Sequence, residues 1–265
     1  MTVAQRGTVY LVGAGPGDPE LLTLKAARLL ATADVVLHDD LVPAAVLAQA
    51  ERALLIGVGK RCGRKNISQE QINVMLVDQA RRGLAVIRLK SGDPLVFGRA
   101  GEELDALRSA GIPFEVVPGI TAAFAAAAAL GRPLTDRRSA SSVSFSVGHH
   151  AAGSPMEPAS LAGATRVVYM PGRDFAAIAA RLRREGLPGG LPCVIVSRAA
   201  QPDRQIVRTT LEELEHAAPL PAPSILLAGE TFREVQPEQF ETFASCETVP
   251  AAKPPDRSDL NRIPD

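Results

Sequence analysis

From Thr8 to Val117 the chain repeats one pattern, and that repetition constrains its fold more than any other feature. Short apolar runs at Thr8–Val12, Asp34–His38, Ala53–Val58, Ala85–Leu89 and Phe114–Val117 alternate with segments of helical character. Leu21, Leu22, Leu24, Leu29 and Leu30 mark a helix that ends near Ala33. Ser68-Gln69-Glu70-Gln71 is a capping box, and the helix it opens stops at Gly83. A further helix spans Gly101–Ala110, and Pro118-Gly119-Ile120-Thr121 leads into an alanine-rich one. Strands joined through helices by short links form a parallel sheet with helices on both faces. The glycine-rich and charged clusters follow the strands, where such folds place their sites.

Beyond Gly131-Arg132-Pro133, a plausible hinge, the pattern changes. Val143–Val147 alternates strictly, as a half-buried strand does. Arg166–Met170, Cys193–Ser197, Gln205–Thr209 and Ser224–Ala228 follow, with a helix at Phe175–Glu185. The short link from Ser197 to Gln205 requires an antiparallel pair, hence a mixed sheet. Two α/β domains are expected, residues 1–130 with a mostly parallel sheet and 131–244 with a mixed one. Residues 245–265, rich in Pro, Asp, Arg and Ser, read as a disordered tail.

Formal net charge is zero over 265 residues, so no global field draws in nucleic acid or membrane. Aromatics make up 4% with no Trp, too few for base-stacking platforms. Cys62, Cys193 and Cys246 form no C-x-x-C, and no secretory leader or membrane-length apolar run is visible. A reduced, cytoplasmic setting is expected.

The loop after the first strand, Leu11 to Thr23, invites comparison with a dinucleotide fingerprint. Gly13, Gly15 and Gly17 give G-x-G-x-G, but the third glycine belongs one residue later, where Asp18 stands. Pro16 and Pro19 have no N–H to offer a phosphate, and an acidic Asp18 at the mouth would repel pyrophosphate. These features argue against a nicotinamide-dependent oxidoreductase. They suit close backbone approach to a nucleoside-like ligand without phosphate.

Asp39 and Asp40 are neighbours at a strand end, so their side chains diverge and cannot share a proton or a metal. Asp39 is the better functional candidate; a solvated pair or a helix cap is the alternative. Lys60 reads as a proton donor, an anion clamp or a surface lysine. Arg61, Arg64 and Lys65 join it in one loop. Arg88, Lys90 and Arg99 lie near the next strand end, and Arg132, Arg137 and Arg138 near the hinge. Together such loops would frame a cleft for a poly-anion, because Arg grips carboxylates bidentately. His149-His150 lacks metal-site spacing, and Ser91 lacks a nucleophile elbow. No metal is expected.

As an ordered set, LVGAGPGDPELLT, VVLHDDLV, GVGKR, RLKSGDPLVFGRAGEE, VPGITAA, GRPLTDR, VGHH and VYM resemble the tetrapyrrole methylases over about Gly7 to Gly229. The resemblance implies a homodimer of two-domain subunits with S-adenosylmethionine in the interdomain cleft and S-adenosylhomocysteine as product. It implies two methylations of uroporphyrinogen III, at C2 and C7, giving precorrin-2 for cobalamin and sirohaem synthesis. Action on another corrinoid precursor, such as precorrin-2 at C20, and a degenerate cofactor-binding relative are the alternatives. By the same resemblance Pro16, Ser91, Gly92, Asp93, Val96, Thr121, Ala122, Met170, Ala199 and Ala228 would contact the cofactor. Asp39 would accept a proton and Lys60 donate one, while Arg99, Glu102 and Arg137 would touch the tetrapyrrole. Ser91 stands where the family usually has Gly, and at φ > 0 its Cβ would cost about 1–2 kcal/mol. His38, Leu95 and Asp136 replace the usual Tyr, Phe and His. Asp136 would bring negative charge towards an anionic substrate.

Overall fold

The first five strands are β1 (Val9–Gly13), β2 (Val35–His38), β3 (Leu54–Gly57), β4 (Val86–Lys90) and β5 (Phe114–Val117). They form one sheet in the order β3-β2-β4-β1-β5, and every pair is parallel. Helices α1 (Leu24–Leu30), α2 (Ala44–Leu47), α3 (Gln69–Arg81), α4 (Ala100–Ser109) and α5 (Ala122–Ala129) lie between or after the strands. The computed structural model describes residues 3–59, 67–148 and 163–234. Lys60, Arg61, Arg64, Lys65, His149, His150 and the expected tail at 245–265 lie outside them.

Period-two alternation sorts the strand side chains onto two cores. Tyr10, Val12, Val36, Ile87 and Leu89 face α1 and α2, meeting Ala26, Leu29, Leu30 and Val46. Val9, Leu11, Val35, Leu37 and Val86 face α3 and α4, meeting Ile72, Leu76, Leu104 and Leu107. Truncating a side chain such as Leu37 or Leu107, both fully buried, would cost about 2–5 kcal/mol.

The second sheet contains β6 (Val143–Val147), β7 (Thr165–Tyr169), β8 (Pro192–Ser197), β9 (Gln205–Thr210) and β10 (Ser224–Ala228). Its order is β6-β7-β10-β8-β9, parallel between β6 and β7 and antiparallel elsewhere. Helix α6 (Phe175–Arg184) packs Phe175, Ile178 and Leu182 against Val168, Ile195 and Leu226. Both sheets belong to one compact unit, Met1–Val235.

Local chemistry sets the helix starts. The Ser68 and Gln71 side chains complete their capping box at 3.2 and 2.8 Å. Helix α1 begins at Leu24 rather than Leu21, because Pro19–Leu21 forms a 3-10 turn and Thr23 Oγ1 accepts the Ala26 N–H at 3.1 Å. Asp18 caps that turn, accepting the Glu20 N–H at 2.9 Å. Asp18 therefore has a structural role as a cap beside the acidic character noted in the sequence. The short α2 was not anticipated; Pro43 starts it without a side-chain cap.

Strand order creates a crevice. The chain leaves β1 towards β2 on one side and β4 towards β5 on the other, although β1 and β4 are neighbours. The loops beyond their carboxyl ends diverge at that switch point, where open α/β sheets receive ligands.

Candidate active site

A pocket enclosing about 930 Å³, part of it open to solvent, sits at this crevice. The parallel sheet contributes Pro16, Asp39, Leu41, Lys90, Ser91, Gly92, Asp93, Val96, Phe97, Gly98, Thr121 and Ala122. The mixed sheet contributes Tyr169, Met170, Val196, Ala199, Pro223, Ser224 and Ile225. Of the anticipated cofactor contacts, Ala228 alone is absent from the lining; it is fully buried in β10. Arg99, Glu102 and Arg137 do not line the pocket either. Arg99 and Glu102 form a bidentate pair at 2.7 Å, and Arg137 is exposed.

The pocket floor is backbone packed on backbone. A Cβ at Gly13 would stand 2.6 Å from Gly119 Cα, and one at Gly119 would stand 2.3 Å from the Gly92 carbonyl. The close approach that Gly13 permits is therefore to the protein's own loops, which corrects the sequence reading of that glycine. The Ala14 and Gly15 amides are spent on the Lys90 and Gly92 carbonyls, at 2.7 and 3.2 Å. No amide at either position is left to cradle a phosphate. Asp93 closes the floor by accepting the Gly119 N–H at 3.0 Å and the Leu95 N–H at 2.8 Å.

One wall carries a buried ionic network. Arg88 and Lys90 project from the same face of β4 and are 3% and 2% exposed. Arg88 stands inside the strand, as the expected Ala85–Leu89 run implies, and Lys90, expected in the following loop, is the strand's last residue. Glu103, fully buried on α4, accepts from Arg88 Nε at 2.9 Å and from Lys90 Nζ at 2.9 and 3.0 Å. Gln69 Nε2 adds a bond at 3.3 Å. Arg88 Nη2 then donates to Asp39 Oδ1 at the pocket edge. Burial works to lower the Arg88 guanidinium, but the attraction and hydrogen bonds of Asp39 and Glu103 carry it above its ordinary range. Burial, followed by repulsion from Arg88, pushes the Lys90 ammonium down against the pull of Glu103.

Asp39 and Asp40 lie just past the last residue of β2, His38. The Asp39 N–H donates to the Leu89 carbonyl at 3.2 Å, so its backbone still follows the sheet. Asp40 lies against Gly59, where a Cβ would meet its Cγ at 2.3 Å.

Strain gathers around the same pocket. Phe97, Arg99, Met170 and Arg198 are the described non-glycine residues with positive φ, at 51°, 55°, 49° and 52°. Phe97 and Met170 line the pocket, and the other two neighbour lining residues. Left-handed non-glycine backbone cluster of this kind accompanies ligand sites. Ser91 is not among them, so its Cβ carries no such penalty. Asp136 is bound by Arg138 through the backbone N–H at 2.8 Å and the guanidinium at 2.7 and 3.0 Å. Its charge is compensated within its own turn, and those hydrogen bonds hold its carboxyl down at about 2.

Sequence reasoning missed Glu103, Gln69 and Tyr169. The charged pair at alternate positions of Val86–Lys90 was the available signal, because two cations on one buried face require an anion opposite. Among the described residues no group of three or more His, Cys, Asp or Glu is placed to hold a metal. No described helix is long and apolar enough to cross a membrane. Cys193 is buried, and desolvation pushes its thiol up to about 12, so it is chemically quiet.

Comparison with known proteins places this geometry. Residues 8–215 match the model of the Tetrapyrrole (Corrin/Porphyrin) Methylases. A uroporphyrinogen-III C-methyltransferase of Paracoccus denitrificans is 47% identical over 234 residues, 85% of this chain and 82% of that protein. A sirohaem synthase of Klebsiella pneumoniae is 45% identical over 231 residues, 85% of this chain but 49% of its own length. The chain thus spans about half of that longer relative. The crystal structure of a uroporphyrin-III C-methyltransferase from Thermus thermophilus, complexed with S-adenyl homocysteine, superposes with a TM-score of 0.75. It is 42% identical, and the match covers 85% of this chain and 99% of that one. By fold and by sequence over most of its length, the chain belongs to the tetrapyrrole methylases.

Proposed function

We propose that this chain is an S-adenosylmethionine-dependent methyltransferase that methylates uroporphyrinogen III at C2 and C7, giving precorrin-2 for cobalamin and sirohaem synthesis. The carrying observation is the pocket whose backbone amides at Ala14 and Gly15 are already paired, within a chain so close to the Paracoccus enzyme. S-adenosylmethionine has an adenosine and an amino-acid end but no phosphate, and the residues present fit it. Apolar walls at Pro16, Val96, Phe97, Ala122 and Val196 suit the adenosine, and polar atoms of Ser91, Asp93 and Thr121 suit its hydroxyl and amino groups. Pro16, Ser91, Gly92, Asp93, Val96, Thr121, Ala122, Met170 and Ala199 are the proposed cofactor residues; Ala228, buried behind them in β10, is left out.

When bound, the cofactor supplies an electrophilic sulfonium methyl. The chain's own task is to hold the pyrrole carbon in line with it and to exclude water. Asp39, held at the pocket by its Arg88 partner, is the proposed acceptor of the proton released from the macrocycle, and Lys60 the proposed donor. Arg99, Glu102 and Arg137, none of which lines the pocket, are the proposed contacts of the tetrapyrrole.

A two-domain division at residues 130 and 131, a homodimer and a cytoplasmic setting complete the proposal. The dimer draws support from an aromatic row, Phe97–Tyr169–Phe145–Phe124, with ring centroids 5.0, 5.5 and 6.5 Å apart in turn. Phe124 is 56% exposed and Phe145 39%, an apolar edge that a second subunit would cover.

Anaerobic incubation with uroporphyrinogen III and S-adenosylmethionine, read by mass spectrometry, tests the activity. Two added methyl groups are expected. A product without them overturns the substrate assignment, and stabilisation by NADH instead of S-adenosylhomocysteine would overturn the cofactor.

A further inference from the structure

The buried network behind Asp39 is larger than holding one carboxylate requires. Glu103 is fully buried, yet it sits on α4 rather than on the sheet, and both its oxygens are occupied by β4 cations. Arg88 is fixed at every nitrogen. Its Nε donates to Glu103 at 2.9 Å, its Nη1 to the Leu37 and Leu89 carbonyls at 3.4 and 3.3 Å, and its Nη2 to Asp39. Among the described residues Arg88 is the side chain that binds the Asp39 carboxylate. A planar fork pinned on one edge by Glu103 can present its other edge in one direction only.

Removing Glu103 from this arrangement would leave the guanidinium free to turn, and Asp39 with it. Lys90 completes the balance: two cations against Glu103 and Asp39. Without it, the Glu103 carboxylate would share one guanidinium with Asp39 in a buried site, a costly arrangement.

We propose that Glu103 is a positioning residue for the methyl-transfer reaction, fixing the Asp39 carboxylate at the pocket through Arg88, with Lys90 as the counter-charge paired to Glu103. The inference rests on the reading of Asp39 as proton acceptor. It predicts that Glu103, which does not line the pocket, affects turnover and leaves cofactor binding alone.

The test is a double-mutant cycle on the full chain, combining Glu103→Gln with Asp39→Asn under anaerobic methylation of uroporphyrinogen III. Glu103→Gln should lower kcat by about 30-fold, within the range of a misplacement of about 1 Å. The KM for S-adenosylmethionine and the Kd for S-adenosylhomocysteine should stay within about threefold, a split that general loosening of the fold would not give. In the Asp39→Asn background the same substitution should cost less than about twofold, because the group it positions is already disabled. Losses that multiply in the double variant overturn the inference while leaving the role of Asp39 standing. Full turnover by Asp39→Asn alone overturns both. If Glu103→Gln does not fold, Arg88→Lys runs the same cycle, since lysine keeps the charge but cannot bridge two carboxylates as a fork, and the same two outcomes decide.

Discussion

Thr121 stands at the N-cap of α5, yet its hydroxyl lies 2.7 Å from the phenol oxygen of Tyr169 on β7 and makes no capping bond to its own helix. A tyrosine of the mixed sheet is therefore tied to the residue that opens a helix following the parallel sheet, at the wall of the pocket.

Tyr169→Phe should destabilise the protein by about 1–3 kcal/mol, because it leaves the buried Thr121 hydroxyl without its partner. S-adenosylhomocysteine affinity should fall about fivefold, roughly 1 kcal/mol. Urea denaturation and calorimetry would check both. Burial raises the phenol against the opposing bonds from Thr121 and Ala123. The sign follows from linkage: the stability tied to the neutral phenol is complete below pH 10 and lost as pH rises towards the higher folded value. The difference between wild type and Tyr169→Phe should shrink through that alkaline range.

The glycines of the pocket floor should divide sharply from Gly101 on α4. Gly13→Ala and Gly119→Ala drive a methyl group to within 2.6 and 2.3 Å of backbone atoms that cannot yield. Either should abolish measurable S-adenosylhomocysteine binding. Gly101→Ala meets nothing within 4 Å inside α4, so it should stabilise by about 0.5–1 kcal/mol. Thermal melts with and without S-adenosylhomocysteine would separate the two outcomes.

Ser91→Gly tests the departure from the family's glycine. Because Ser91 lies outside the left-handed region, the glycine variant gains no relief and loses about 0.5–1 kcal/mol in chain entropy. A rise in Tm would contradict the backbone geometry, and loss of the hydroxyl from the pocket lining should weaken S-adenosylhomocysteine binding about threefold, roughly 0.6 kcal/mol.

Acid should reveal the Asp136 turn. Hydrogen bonds from the Arg138 side chain and backbone lower this carboxyl from 3.8 to about 2. Its contribution is present above pH 3.8 and is lost as pH falls through about 2. Asp136→Asn should therefore be less stable than wild type at pH 5, with the gap closing towards pH 2. Solvent screens this exposed pair, so the effect will be small. Substrate KM should be unchanged, as the charge is already matched by Arg138.

The layered fold was legible in the sequence because strand and helix periodicities alternate cleanly, and Phe114–Val117, Val143–Val147 and Ser224–Ala228 match their strands to the residue. Helix starts moved where a turn competed, as at Pro19–Leu21. The pocket's outline was legible through the ordered motifs. Its ionic wall was not, because Lys90 read as a loop cation and Arg88 as part of a strand-end cluster facing a cleft, until the strand was seen to run through Lys90. Glu103 lies in the helix turn after a loop, a place where acidic residues usually face water and soothe the helix dipole. Only the tertiary fold shows it turned inward. Tyr169 offered no local signal, since its partner is 48 residues away.

The floor built from Gly13, Gly92 and Gly119 ties three loops into one backbone layer without intervening side chains. No single loop in it can be lengthened, shortened or grafted from a relative unless the other two change with it. Divergence in substrate choice must therefore be written on the rim, at positions such as Leu41, Phe97 and Met170, whose side chains are half or more exposed or nearly so. A designer seeking a new methyl acceptor would leave the floor untouched and vary that rim, with the methyl donor's seat inherited intact.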